Sequence, residues 1–180
     1  MTFKKIGMLF VAMLVVVGAA SAAKIPSDQL FQQGKLWVTP QIGLYSWGGS
    51  IPFGVNVEYA LTPNIGIGGT AMAMFWSESE WSESIISLAA EVVYHFTTLK
   101  LDNIDVYAGG GLGYSIYTWS WKSGFTGLDG GSGSSGIYIE TVIGGRYYLS
   151  PKMAVSLRLV GSLSGWSGFG SQIGMSFNLK

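Results

Sequence analysis

The stretch that decides the fold is residues 136–149, Gly-Ile-Tyr-Ile-Glu-Thr-Val-Ile-Gly-Gly-Arg-Tyr-Tyr-Leu, because it divides into two unlike faces. Every second residue from Ile137 to Leu149 is uncharged and mostly apolar, whereas Glu140 and Arg146 fall on the opposite face. Alternation with a period of two is the pattern of a β-strand whose two faces meet different surroundings. The segment is also longer than the roughly 5–6 residues usual in soluble sheets.

The same alternation recurs along the chain on both sides of this stretch. It predicts eight strands: 35–47, 52–61, 65–76, 85–96, 104–119, 136–149, 153–163 and 169–180. These lengths suit tilted membrane strands, which need about 9–11 residues to cross a bilayer. One face carries no charged residue in any of the eight segments. The pattern therefore favours an all-β, eight-stranded, antiparallel up-and-down transmembrane β-barrel.

The direction in which the uncharged face points separates two kinds of barrel. A soluble barrel turns its apolar face inward, and a membrane barrel turns it outward. The opposite face favours the membrane barrel, because large rings packed over glycines fill a narrow lumen. Its glycines are Gly43, Gly54, Gly66, Gly68, Gly109, Gly111, Gly113, Gly144 and Gly174, and its aromatic residues are Trp37, Tyr45, Trp76, Tyr107, Tyr117, Tyr138 and Tyr148.

Aromatic residues of the uncharged face lie near the strand ends, as in the two interfacial girdles of membrane barrels. Those at one end are Phe53, Phe75 and Phe169, and those at the other are Tyr59, Phe96, Tyr147 and Phe177.

Five charged side chains on the inner face form a predicted interior charge network: Glu58, Glu91, Glu140, Arg146 and Arg158. Buried charges must be paired, so we interpret this network as structural rather than as a proton or ion path. Replacing Arg158 with alanine should then lower thermal stability more than it changes conductance.

The composition excludes several classes of protein. Charged residues make up 11% of the chain, against about 25% in ordinary soluble domains. The chain has no Cys, so disulfides and thiolate chemistry are excluded. The formal net charge is zero, which gives no basic surface for nucleic acid.

Residues 1–22 have the pattern of a secretory signal peptide. Lys4 and Lys5 precede an apolar run, and a small-residue site predicts cleavage between Ala22 and Ala23. The run is too short for a membrane-spanning helix, which needs about 20 residues. The expected organisation is a signal peptide (1–22), a periplasmic lead-in (23–34) and an outer-membrane barrel (35–180).

Short and long connections are predicted to alternate. The tight turns 62–64 and 150–152 and the longer turn 97–103 are assigned to the periplasmic side together with both termini. On the other side, an acidic surface loop at 77–84 contains Glu78, Glu80, Trp81 and Glu83. These four are candidates for cation binding or surface contact, although a solvated loop explains them as well.

Several short motifs resemble small outer-membrane β-barrels of the OmpX/opacity type, which are porin-like proteins of the Gram-negative cell envelope. They are the Tyr-x-Leu-[Thr/Ser]-Pro-[Asn/Lys] turns at 59–64 and 147–152, the Gly-Gly-Arg-Tyr-Tyr run at 144–148 and the Gly-x-x-Phe ending at 174–177. The resemblance implies a membrane address and says little about activity. Such barrels usually end in an aromatic residue, whereas this chain ends Phe177-Asn178-Leu179-Lys180.

The sequence favours a non-enzymatic barrel with an envelope-structural or surface-interaction role and no general diffusion pore. Expected partners are outer-membrane lipid and the barrel-assembly machinery, with a monomer as the expected state. No cofactor or metal is expected, since His95 is the single histidine and a metal site needs several ligands. Two alternatives stay open: a soluble periplasmic or secreted barrel binding a small apolar ligand, and an outer-membrane lipid hydrolase that uses His95.

Overall fold

A computed structural model describes residues 24–45, 51–122, 131–163 and 168–180. It contains eight strands: β1 (Leu36–Tyr45), β2 (Phe53–Ala60), β3 (Ile65–Ser77), β4 (Trp81–His95), β5 (Ile104–Trp121), β6 (Gly131–Ser150), β7 (Met153–Ser162) and β8 (Phe169–Asn178). Two short 3-10 helices, η1 (Ser27–Gln29) and η2 (Thr97–Leu99), complete it. The predicted signal peptide and its Ala22–Ala23 cleavage site lie outside the described residues, as does the side chain of Tyr45.

Each strand pairs antiparallel with the next strand in the chain, and β1 pairs with β8 to close the barrel. The predicted eight-stranded up-and-down barrel is thus confirmed. We call the end that carries residues 24–34 and the turns 62–64 and 150–152 the termini end, and the opposite end the loop end. No helix in the described part of the chain is long and apolar enough to span a bilayer.

The uncharged face points outward. Ile137, Ile143 and Leu157 are examples, with 53–69% of their surface exposed. The predicted girdle residues are exposed as well: Phe53, Phe75 and Phe169 toward the loop end, and Tyr59, Phe96, Tyr147 and Phe177 toward the termini end. The arrangement expected of a soluble barrel, with this face lining the lumen, is not found.

Strands β4, β5 and β6 extend further toward the loop end than the sequence pattern predicts. β4 begins at Trp81 rather than at residue 85, and Trp81 pairs with Trp121 of β5. Ser120 in turn pairs with Gly131 of β6. The assignment of Trp81 and Glu83 to a surface loop was therefore wrong, because both lie in β4. Backbone pairing fixes these residues although their Ser- and Glu-rich sequence has no apolar face.

The lead-in folds back into the termini end of the barrel. Ile25, Leu30 and Phe31 are at most 6% exposed. The Ile25 backbone N–H donates to Asn103 Oδ1 at 3.0 Å, and the Asn103 N–H donates to the Ile25 carbonyl. Asn103 holds a left-handed φ of 58°, a conformation that asparagine tolerates better than most residues. We call residues 25–31 the N-terminal plug.

Glycines on the inner face make room for rings from neighbouring strands. A Cβ atom at Gly144 would meet the ring of Tyr107, with Cε2 at 2.6 Å. Tyr107 is 2% exposed and lies beside both His95 and Arg146, so its ring has no free space to move into. Gly136, on the same strand and face, has no atom within 4 Å of such a Cβ.

Replacing Gly144 with valine should lower the free energy of unfolding by about 1–3 kcal/mol, the usual cost of overpacking. Gly136→Val is the matched control and should be neutral or slightly stabilising, since valine favours strands. Urea unfolding of the refolded protein, followed by tryptophan fluorescence, measures both variants. Equal effects at the two positions would contradict the packing argument.

Candidate functional site in the barrel lumen

Four ionisable side chains meet in the termini half of the lumen. Glu58 of β2 accepts from Arg146 of β6 at 2.5 Å, and its other oxygen lies 2.7 Å from His95 Nε2. His95 Nδ1 lies 2.9 Å from both oxygens of Asp105. All four side chains are at most 6% exposed. We call Glu58, His95, Asp105 and Arg146 the lower network.

Aromatic rings enclose the lower network. Phe31 of the N-terminal plug stacks on His95 with ring centroids 3.5 Å apart and planes 9° apart. The Arg146 guanidinium lies 5.5 Å from the centre of the Trp37 ring and 5.4 Å from that of Tyr107. Cations are attracted to ring faces at such distances, so these rings solvate a guanidinium that water does not reach.

A second group of charges lies nearer the middle of the lumen. Arg158 Nη2 of β7 donates to Glu91 Oε2 at 2.6 Å, and Nη1 donates to Thr70 at 2.8 Å. The Thr70 hydroxyl donates to the other oxygen of Glu91. Glu140 Oε1 lies 3.9 Å from Arg158. We call Thr70, Glu91, Glu140 and Arg158 the upper network.

Uncharged polar pairs fill the space around both networks. Asn56 donates to Thr70 at 2.9 Å, and Gln41 donates to Gln172 at 3.0 Å. These side chains are buried and come from several strands, so the middle of the lumen is packed with mutually bonded polar groups.

The structure brings the five predicted interior charges into these two networks, with Glu58 on Arg146 and Glu91 on Arg158. Asp105 belongs with them and was missed, although it shares the inner face with Tyr107, two residues further along β5. His95, the single histidine of the chain, is held between the carboxylates of Glu58 and Asp105. Over the two networks, four carboxylates face two arginines and one histidine.

Ser87 and Glu91 lie on the same face of β4 as His95. The three side chains do not form the serine–histidine–acid geometry of a hydrolase. Both ring nitrogens of His95 face carboxylates, and Ser87 Oγ lies 3.2 Å from Ser115 Oγ. No group of three or more side chains able to hold a metal ion was found among the described residues.

A cavity of about 130 Å³ lies in the loop half of the lumen. Thr70, Glu140 and Gln172 line its deep side, next to Arg158. The apolar part of its wall consists of Pro52, Met72, Ala73, Met74, Ile85 and Val160, and Tyr138 adds an aromatic ring.

The inner face continues above this cavity as an aromatic rim, which we define as Trp76, Trp81, Tyr117, Trp119 and Trp121. The ring centroids of Trp76 and Trp81 are 5.2 Å apart, and those of Trp119 and Trp121 are 5.6 Å apart. Of the predicted loop candidates, Glu83 accepts from the Tyr117 hydroxyl at 2.7 Å and Glu78 accepts from Trp76 Nε1 at 2.8 Å. Glu80 is exposed between β3 and β4.

Comparison with solved structures shows the same fold in small outer-membrane barrels. The N-terminal β-barrel domain of Pseudomonas aeruginosa OprF has a TM-score of 0.59 at 16% identity, with 82% of this chain and 98% of that chain covered. P. aeruginosa OprG has a TM-score of 0.58 at 11% identity, covering 84% and 99%. For Yersinia pestis Ail, the attachment invasion locus protein, the TM-score is 0.54 at 12% identity, covering 82% and 99%.

No protein-family model matches the sequence, and neither does any curated protein. The predicted resemblance to small outer-membrane barrels is thus confirmed through the fold, which these structures share with the present chain.

Proposed function

We propose that the protein is an integral outer-membrane barrel, without enzymatic activity, that has an envelope-structural or surface-interaction role and forms no general diffusion pore. The observation that carries the proposal is the combination of an uncharged exterior with a filled lumen. Exposed side chains such as Leu112, Ile137 and Ile143 cover the outside. A water-soluble protein rarely leaves so much contiguous apolar surface uncovered, whereas a lipid-facing barrel requires it.

The filled lumen supports a role other than diffusion. An eight-stranded barrel leaves an interior just wide enough for side chains. Here Trp37, Tyr148, Arg146 and Arg158 are at most 2% exposed, and two ion networks cross the lumen one above the other. We therefore expect no measurable ion current when the purified protein is inserted into planar bilayers, and steady open-channel steps would contradict this part of the proposal.

Export and orientation belong to the same proposal. The signal peptide delivers the chain to the periplasm, the assembly machinery inserts it as a monomer, and the termini end faces the periplasm. A single cysteine replacing the exposed Glu80 should react with a membrane-impermeant maleimide on whole cells. A cysteine at Lys152, in the tight turn at the opposite end, should react only after lysis; the reverse pattern would refute the orientation.

Partition tests the membrane location. The mature protein should leave washed membranes only with detergent, and unheated samples should migrate differently from heated ones on a denaturing gel. Release by osmotic shock would contradict the membrane barrel. Phospholipid or lipid A turnover that disappears with His95→Ala would favour the hydrolase instead.

Replacing Leu157 with arginine tests the lipid-facing exterior. Leu157 lies midway along β7 with 53% of its surface exposed. Arginine near the bilayer midplane costs a barrel about 2–4 kcal/mol, and near an interface about 0–1 kcal/mol. Leu163→Arg is the matched control, because Leu163 follows β7 at the loop end of the barrel. Urea titration in lipid vesicles measures both variants, and similar losses at the two positions would argue against a lipid-facing β7.

A further inference from the structure

We propose that the cavity in the loop half of the lumen binds a small organic cation, with Glu140 as its anionic group. Such a site would exist whichever envelope role the barrel has, because it is built from the lumen's own residues.

Glu140 is the carboxylate that lies furthest from Arg158 in the upper network. Arg158 directs one nitrogen to Glu91 at 2.6 Å and another to Thr70, whereas Glu140 Oε1 lies at 3.9 Å. That oxygen is buried and accepts no hydrogen bond from the described residues. A buried carboxylate whose cation is shared with a closer carboxylate is costly, so either a proton or a bound cation must balance it.

The cavity wall suits an organic cation better than a hydrated metal ion. Glu140 and Tyr138 both line the cavity, together with Met72 and Met74. Aromatic rings attract quaternary ammonium groups, and thioether sulfurs are soft and polarizable. A metal ion would need several strong oxygen ligands, usually carboxylates. The polar side chains of this wall are Thr70, Ser87, Ser115, Glu140, Ser162 and Gln172, and only Glu140 is a carboxylate.

The size of the cavity limits the ligand to a few heavy atoms. An engineered cavity of about 150 Å³ accepts benzene, so a cavity of about 130 Å³ has room for a group as large as tetramethylammonium. Larger ligands would have to extend toward the aromatic rim.

The charge around the entrance has the sign that such a ligand requires. Glu78 and Glu83 lie at the rim, and Glu83 pairs across the strands with Trp76 and Trp119. Among the described residues of the loop half, the only basic side chains are Arg158 beneath the cavity and Lys122. Lys122 is exposed and donates to the Glu78 carbonyl. Carboxylates beside ring faces would concentrate cations at this end of the barrel.

Methionine methyl groups provide a direct readout of binding. Met72 and Met74 line the cavity, whereas Met153 and Met175 pair with residues of the outer face and act as controls within the same molecule. Tetramethylammonium chloride, titrated into the refolded, methyl-labelled mature protein, should shift the Met72 and Met74 signals with saturation. The neutral isostere tert-butanol should give much weaker shifts at the same concentration.

Glu140→Gln should weaken tetramethylammonium binding about tenfold or more, which corresponds to about 1.4 kcal/mol or more. Glu80→Gln, which removes an exposed charge between β3 and β4, should leave binding unchanged. A retained heat-dependent gel shift shows that each variant is folded. Three results would each overturn the proposal: equal binding of tert-butanol, equal affinity of the Glu140→Gln variant, or the absence of shifts at Met72 and Met74. If these shifts are absent, a proton rather than a bound cation balances Glu140.

Discussion

Replacing Arg158 with alanine is expected to lower the free energy of unfolding by about 3–5 kcal/mol, the usual cost of breaking a buried ion pair. Arg158 is 2% exposed and is the cation of the upper network. Without it, Glu91 loses its partner at 2.6 Å and the Thr70 hydroxyl loses a donor. Two carboxylates, Glu91 and Glu140, would then share a buried space with no compensating charge.

The double variant Arg158→Met with Glu91→Gln separates the cost of an unpaired charge from the value of the pair. It removes both charges while keeping similar volumes, and such replacements are often neutral or stabilising. We expect it to recover part of the loss in urea titrations, since Glu140 still loses its ion pair with Arg158 at 3.9 Å. The single variant should still carry no ion current, because the lower network continues to close the lumen. Current without loss of stability would contradict a structural role for Arg158.

The exterior of the barrel could be predicted from the sequence because lipid imposes one rule on every strand. A charge that faces hydrocarbon is costly in every strand. The outward-facing positions, such as 137, 139 and 143 in β6, are therefore uncharged in all eight strands. The turns 62–64 and 150–152 were predictable as well, since proline cannot donate to a ladder and presets φ for a turn.

The lumen could be predicted only in composition. Glu58 and Arg146 lie on β2 and β6, which are not neighbours, so no sequence spacing encodes their contact. Asp105 was missed although its parity places it inward. The loop-end parts of β4, β5 and β6 were not predicted, because Ser, Glu and Gly occupy both faces there. The lead-in gave no signal of burial, since three apolar residues among polar ones do not specify a docking site.

Replacing Phe31 with alanine should release the N-terminal plug rather than unfold the barrel. Removing a buried phenylalanine typically costs about 3–5 kcal/mol. Phe31 stacks on His95 at 3.5 Å. The rest of the plug adds the buried Ile25 and Leu30, its bonds to Asn103, and two exposed bonds that its carbonyls accept from the side chains of residues 32 and 35. The loss therefore exceeds what these remaining contacts are expected to supply. A short terminal segment can open on its own, without the eight strands that support the lumen.

Hydrogen exchange can distinguish local release from global unfolding. The Ile25 N–H donates to Asn103 Oδ1, and the Asn103 N–H donates to the Ile25 carbonyl. In Phe31→Ala, these two amides should exchange at least tenfold faster, as expected for a loss of about 1.4 kcal/mol or more. Amides in the middle of β5 should keep their protection, and the urea midpoint should move little. Gln32→Ala is the control, because Gln32 is exposed next to Phe31 and the substitution removes only an exposed hydrogen bond to the Asp28 carbonyl.

Opening the plug should not open a channel. The lower and upper networks remain in place above it, since Arg146 and Arg158 are bound to side chains of the strands rather than to the plug. Phe31→Ala should therefore show fast exchange at the termini end together with an unchanged absence of ion current. If releasing the plug alone produced current, residues 25–31 would be the gate of a pore, and the two networks would not be the seal.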